Sequence, residues 1–306
     1  MTTATLARTP PHASLLVPAL LACYLVWGST YLAIRYALAS FPPFFQMGTR
    51  FLTAGAVLLA WQVWAAKRNG RPIAWPEATG WRNALVIGTL MLGGGMGLCA
   101  TAEQSIGSGL VAAFIAVTPM WTCGWGLLFG QRPSRFELLG MVVGVVGVLL
   151  LVQGTSFSAS PVGVAAVAGG TLAWTLGSVL ATTRLPLAPG PMGFASEMLC
   201  GGATLMLLSL AMGEKVAWPP QPLAAFAWLY LVVFGSLIAF SAYMYLLAKA
   251  SPAVATSYAF VNPVIALFLG VMLASETVTS GEWIACGVIL AGVFLIFRGK
   301  TASNPK

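Results

Sequence analysis

"LLGMVVGVVGVLLLV", residues 138–152, is a run of apolar side chains and glycines with no polar side chain anywhere in it. A strand of a membrane barrel alternates, because one face meets lipid and the other the lumen. This run does not alternate. Only helices and closed barrels satisfy their backbone in hydrocarbon, so the stretch reads as a helix crossing lipid. The rest of the chain agrees: 58% of its 306 residues are hydrophobic and 7% charged, where soluble domains carry about a quarter charged residues. Charge clusters, prolines, glycines and apolar runs place ten spans near 14–38, 43–66, 81–103, 107–130, 135–153, 161–182, 191–213, 222–248, 252–274 and 280–298, each close to the roughly 20 residues that cross a bilayer. The expected fold class is an all-α integral membrane protein of ten transmembrane helices, with no room left for a soluble domain. The first run, preceded by Arg8, is longer than a cleavable signal core and reads as a retained helix.

Charge sets the expected orientation. With the N-terminus inside, the cytoplasmic loops and tails hold Arg8, Lys67, Arg68, Arg71, Arg82, Arg132, Arg135, Arg184, Lys249, Arg298, Lys300 and Lys306, and the opposite side holds Arg35 and Lys215. That asymmetry predicts both termini in the cytoplasm of a multi-pass protein of the bacterial inner membrane. The net charge of +8 is spread along helix ends rather than gathered in a patch, which argues against nucleic acid as a partner. Cys23, Cys99, Cys123, Cys200 and Cys286 fall inside spans without CxxC spacing and read as small apolar residues. Aspartate is absent and the one histidine, His12, lies in the N-terminal tail. No metal or cofactor is expected.

A shift of 147 residues lays Trp27 on Trp174, Pro42 on Pro189, Gly55 on Gly202, Trp81 on Trp228 and Gly88 on Gly235. After a slip of two or three residues, Pro119 meets Pro263, Gly126 meets Gly270, Glu137 meets Glu282 and Gly147 meets Gly292. The chain therefore reads as two five-helix units, 1–153 and 154–306. Five is odd, so the second unit enters the membrane from the opposite side and the repeats are inverted around a central cavity. Arg50, the one cation left inside a span, superimposes on Glu197. Each sits about 10 Å from opposite surfaces, a depth gap too wide for direct contact between upright helices.

A charge within a span is costly and marks a candidate functional position. Glu197, whose carboxyl can titrate, is a candidate coupling group; Arg50 serves equally as a structural pin near the outer gate. Glu103, beside Gln104 at the end of span three, reads as an interface residue. Pro119 and Pro263 sit midway along their spans and each frees a carbonyl; broken helices at matching places point to a transport site. Thr118 and Asn262 precede them, placed either to re-satisfy the backbone or to bind a solute. Of the aromatics near mid-depth (Tyr24, Trp27, Tyr31, Trp121, Trp174, Tyr243 and Tyr258), Trp27 and Trp174 recur in both halves and are expected to line a shared cavity suited to aromatic or cationic solutes. Packing is the alternative reading for all of them. Gly93, Gly94 and Gly95 permit close helix approach or a bend, and the patterns "GMVVG" and "GVILAG" in spans five and ten permit tight contact within the chain or between protomers. The substrate candidates are thus Trp27, Tyr31, Thr118, Trp121, Trp174, Tyr243, Tyr258 and Asn262; Arg50, Gly94, Pro119, Glu197 and Pro263 are those for gating or coupling.

"YLVWGSTYLAIRYALASFPPFFQMGTRFLTAG", "SPAVATSYAFVNPVIALFLGVMLASE" and "GEWIACGVILAGVFLI" resemble the EamA-type drug/metabolite transporter superfamily, in particular bacterial exporters of the YddG and YedA kind. The resemblance spans nearly the whole chain, once per half. It implies ten helices in two inverted repeats, a cavity formed mainly by spans one to four and six to nine, spans five and ten supporting from outside, and export of amino acids, metabolites or drugs.

The leading expectation is a secondary active or facilitative exporter of small amphipathic solutes working by alternating access, with a small-molecule substrate and the lipid bilayer as its partners. Proton coupling is open, as is a monomer against a weak homodimer. No Walker A motif offers ATP as the energy source. An intramembrane enzyme acting on lipid or peptide would lack aspartate, embedded histidine, a GxSxG motif and a metal cluster. A passive channel is the third reading.

Overall fold

The computed structural model describes residues 13–106, 111, 114–152, 160–274 and 279–302. His12, Glu276, the start of the fourth span and the boundary between the halves at 153/154 lie outside the described residues. Among the described residues the regular secondary structure is helical. Helices α1 (Leu15–Ala37), α2 (Pro43–Arg68), α3 (Ala78–Ala102), α4 (Thr118–Leu128) and α5 (Arg135–Val152) make the first half. The second holds α6 (Pro161–Thr183), α7 (Pro191–Ala211), α8 (Pro222–Lys249), α9 (252–274, turned at Ser257 between Thr256 and Tyr258) and α10 (Ser280–Ala302).

Local chemistry starts and stops these helices. Pro43, Pro161, Pro191, Pro222 and Pro252 open α2, α6, α7, α8 and α9, where a missing N–H costs nothing and the fixed φ suits a first turn. Gly70 and Gly213, at φ 61° and 66°, follow the ends of α2 and α7 in the left-handed conformation that closes a helix. Arg68, Arg135, Arg184 and Lys249 gather at helix ends on the face where α1 begins, called here the basic face. Outward-facing Leu128, Leu207, Leu210, Phe226 and Phe294 are each at least 65% exposed, an apolar surface that only lipid tolerates at this extent.

The packing shows the inversion directly. A methyl group built on Gly55 of α2 would lie 3.1 Å from the Ala195 carbonyl oxygen of α7, and one on Gly202 of α7 would lie 3.1 Å from that of Gly48. As residue number rises along α2 it falls along α7. The same holds for α5 and α10, where Gly140 abuts Gly292 and Ile296, and Gly147 abuts Ile289. Equivalent helices of the two halves are therefore antiparallel neighbours, and the contacts recur under the repeat. The small-residue patterns of spans five and ten are spent on this contact within the chain.

Three stretches take the wider π-helical turn: Ala22–Val26 in α1, Thr89–Met96 in α3 and Leu231–Phe240 in α8. Those in α3 and α8 fall in matching spans of the two repeats. Each π turn disturbs the regular backbone ladder and frees carbonyls for other partners.

Candidate functional site

Those freed carbonyls hold α1 in place. The Trp27 indole donates to the Gly235 carbonyl at 3.2 Å and the Cys23 thiol to that of Ala239 at 3.6 Å. Trp27 meets Trp174 edge-on with ring centres 5.7 Å apart, and packs on Tyr258 at 4.7 Å and Tyr243 at 5.2 Å. This aromatic knot lies where the two repeats cross.

Beside the knot is a cavity. Its walls come from α1 (Trp27, Thr30, Tyr31, Ile34), α3 (Gly95, Met96, Cys99), the fourth span (Ile115, Thr118), α6 (Gly170, Thr171, Trp174) and α9 (Tyr258). The lining lies in the later parts of α1 and α3 and the earlier part of α6. The cavity therefore occupies the half of the bundle away from the basic face. On the basic side the gap is closed: the Tyr243 and Ser178 hydroxyls are 2.9 Å apart, and those of Tyr24 and Ser257 2.7 Å. The Thr30 and Thr171 hydroxyls bond their own helices, so the walls offer aromatic faces and few free polar groups.

Of the expected site residues, Trp27, Tyr31, Thr118, Trp174 and Tyr258 line this one cavity. Tyr243 is fully buried behind them. Trp121 does not join them. It is 44% exposed on the outer surface of α4, because Thr118 and Thr122, both buried, turn the opposite face of that helix inward. The tryptophan of α4 that does reach inward is Trp125, whose indole donates to the Thr175 hydroxyl at 3.2 Å. The Asn262 amide nitrogen, facing the nearby acceptors, donates to the carbonyls of Tyr24 (3.2 Å) and Tyr258 (3.1 Å), and its side chain also meets that of Tyr31. Pro263 lies inside α9, six residues past the turn at Ser257. Pro119 sits midway along its span, but because the chain turns at 116–117 it falls in the first turn of α4, where proline costs no hydrogen bond. Gly94 lets α3 and α6 touch, since a methyl there would lie 2.7 Å from the Ala173 side chain.

Arg50 and Glu197 are both completely buried and neither lines the cavity. The Arg50 Nε donates to the Ser236 hydroxyl at 2.6 Å, and its guanidinium presses on Gly235, where a methyl would be 2.7 Å from Nη2. It thus braces the segment whose carbonyl holds Trp27. Glu197 meets Gly88 of α3 only through its backbone carbonyl, and neither of its carboxyl oxygens has a hydrogen-bond partner among the described residues. Glu103, read as an interface residue, stands at the end of α3. It is 91% buried, again with both oxygens unpartnered. No signal in one sequence separates a buried helix-end glutamate from an interfacial one.

A repeat-related aromatic knot, π-helical breaks in matching helices and a cavity on one side of the knot make up the centre of the bundle. The model of the EamA-like transporter family matches residues 15–153 and again 161–298. The chain belongs to this family. It is 41% identical over 283 residues to the uncharacterized inner membrane transporter YedA of Escherichia coli (strain K12), covering 92% of this chain and 90% of YedA. It is 25% identical to the protein PecM of Dickeya dadantii, over 89% of this chain and 88% of PecM. A solved crystal structure superimposes with a TM-score of 0.75 at 20% identity, covering 96% of this chain and all of the other; that likeness concerns the fold alone. As a member of the EamA-like family, the protein is a membrane transporter.

Proposed function

We propose that the protein exports small amphipathic solutes, amino acids foremost and aromatic ones among them, across the bacterial inner membrane by alternating access. The observation that carries this reading is the relation between the open and the closed side of the knot. Tyr31, Ile34 and Met96 line the cavity; the repeat lays them on Ser178, Ala181 and Tyr243. In this structure Ser178 and Tyr243 are buried and bonded to each other on the basic side. Exchanging the conformations of the two halves would open a second cavity there and close the first, with Trp27 and Trp174 trading places at the centre. The concentration of lysine and arginine supports the basic face as the cytoplasmic one, and the structure then has its cavity toward the outside. The aromatic walls favour a solute with an apolar body.

Counterflow tests the proposal. Proteoliposomes loaded with unlabelled phenylalanine should accumulate labelled phenylalanine transiently, which a carrier produces and a channel does not. Absence of counterflow across a panel of amino acids and amphipathic drugs refutes the reading. Glu197, a buried carboxyl without a partner, is the group we propose for proton coupling. Glu197→Gln should then abolish accumulation driven by a pH gradient and spare counterflow; unchanged accumulation removes Glu197 from that role.

A further inference from the structure

Glu103 stands at the end of α3, as the residue that caps its C-terminus. The last carbonyls of a helix carry partial negative charge, which repels a carboxylate and attracts a cation. The residue therefore works against the stability of the helix it ends. It is also 91% buried, and among the described residues neither oxygen meets a hydrogen-bond donor. Burying a charged carboxylate in that condition is costly, so the position needs a reason beyond packing.

Its surroundings supply one. Glu103 lies one turn beyond Cys99 on the same helical face and within electrostatic range of both Cys99 and Tyr31, two residues of the cavity wall. Arg35, one turn beyond Tyr31 on α1, is a cation within electrostatic range of Glu103. Arg35 is exposed and forms no ion pair with the carboxyl; its long side chain reaches toward water instead. The cavity thus has an aromatic end, walled by Trp27, Trp174 and Tyr258, and one helical turn beyond its wall at Cys99 stands a buried acidic group without a hydrogen-bond partner among the described residues. We propose that Glu103 is the ammonium-binding group of the transport site, holding the primary amine of a solute whose apolar body lies against the two tryptophans. This rests on the cavity being the transport site. An ammonium arriving there gains a charge-assisted hydrogen bond to the carboxylate, adds attraction from the helix C-terminus and presents a cation to the Tyr31 ring.

Three solutes with one ring and different heads decide the matter: 2-phenylethylamine, 2-phenylethanol and 3-phenylpropionate, titrated calorimetrically into the purified full-length protein. The wild type should bind the amine at least ten times more tightly than the alcohol, and the propionate more weakly than either. Glu103→Gln should weaken the amine by ten-fold or more and change the alcohol less than two-fold, the alcohol serving as the measure of a folded cavity. Glu77→Gln, at an exposed glutamate, should keep the wild-type order. A wild type that binds all three alike leaves the cavity reading standing and overturns the role of Glu103, as does a Glu103→Gln protein that still prefers the amine. A wild type that binds none of the three overturns both.

Discussion

Tyr243→Phe should open the basic side of the protein. The change removes one hydroxyl and keeps the ring that packs on Trp27 and Trp174 at 5.2 and 5.1 Å. What is lost is the 2.9 Å bond to the Ser178 hydroxyl. Ser178 is not stranded, since its hydroxyl also donates to the Trp174 carbonyl at 2.8 Å, so the cost is that of one net hydrogen bond, about 1 kcal/mol. Under the repeat this pair corresponds to Tyr31 and Met96, which both line the open cavity; the bond is therefore expected only where the basic side is closed. Losing about 1 kcal/mol from one of two conformations shifts their ratio roughly five-fold. The assay is the rate at which a membrane-impermeant maleimide, applied from the basic face, labels Ala181→Cys in a protein whose five native cysteines are replaced. Ala181 is the repeat counterpart of the cavity residue Ile34. The rate should rise about five-fold in the Tyr243→Phe background. An unchanged rate, or an equal rise at Ile34→Cys probed from the other face, would refute the idea that this contact is a gate.

Two further outcomes follow from the packing. Gly292→Ala should lower thermal stability in detergent, by about 1–3 kcal/mol: its new methyl would lie 2.6 Å from the Gly144 nitrogen and 2.8 Å from the Gly140 oxygen, backbone that cannot turn aside. A melting temperature within a degree of wild type would show that α5 and α10 separate freely. Glu214→Gln should destabilise the protein by about 0.5–2 kcal/mol, because its carboxylate accepts from the Phe44 and Phe45 amides at 3.1 and 2.8 Å and so caps α2 from the opposite repeat; a denaturation midpoint unchanged in matched detergent would count against it.

The helices and their order were legible because they are local properties. The length of an apolar run, a proline at its start and a glycine after its end act on the backbone nearby, and the predicted spans agree with α1, α2, α5, α6 and α8 to within a few residues. The duplication was legible too, and an odd number of helices per copy forces inversion by topology alone. Which side of each helix turns inward was not. In a soluble protein the apolar stripe marks the buried face, whereas a helix between lipid and protein is apolar all round. Trp121 and Thr118 share one helix, and only the packing of α4 on α6 sends the threonine to the cavity and the tryptophan to lipid. Likewise the pairing of Arg50 with Ser236 and the unmatched burial of Glu103 arise from helices brought together across the chain. The sequence alone therefore determined how many times this protein crosses the membrane and in what symmetry. The tertiary structure decided which side chains meet at the centre, because in hydrocarbon helix facing is set by side-chain fit between neighbours rather than by apolarity along the chain.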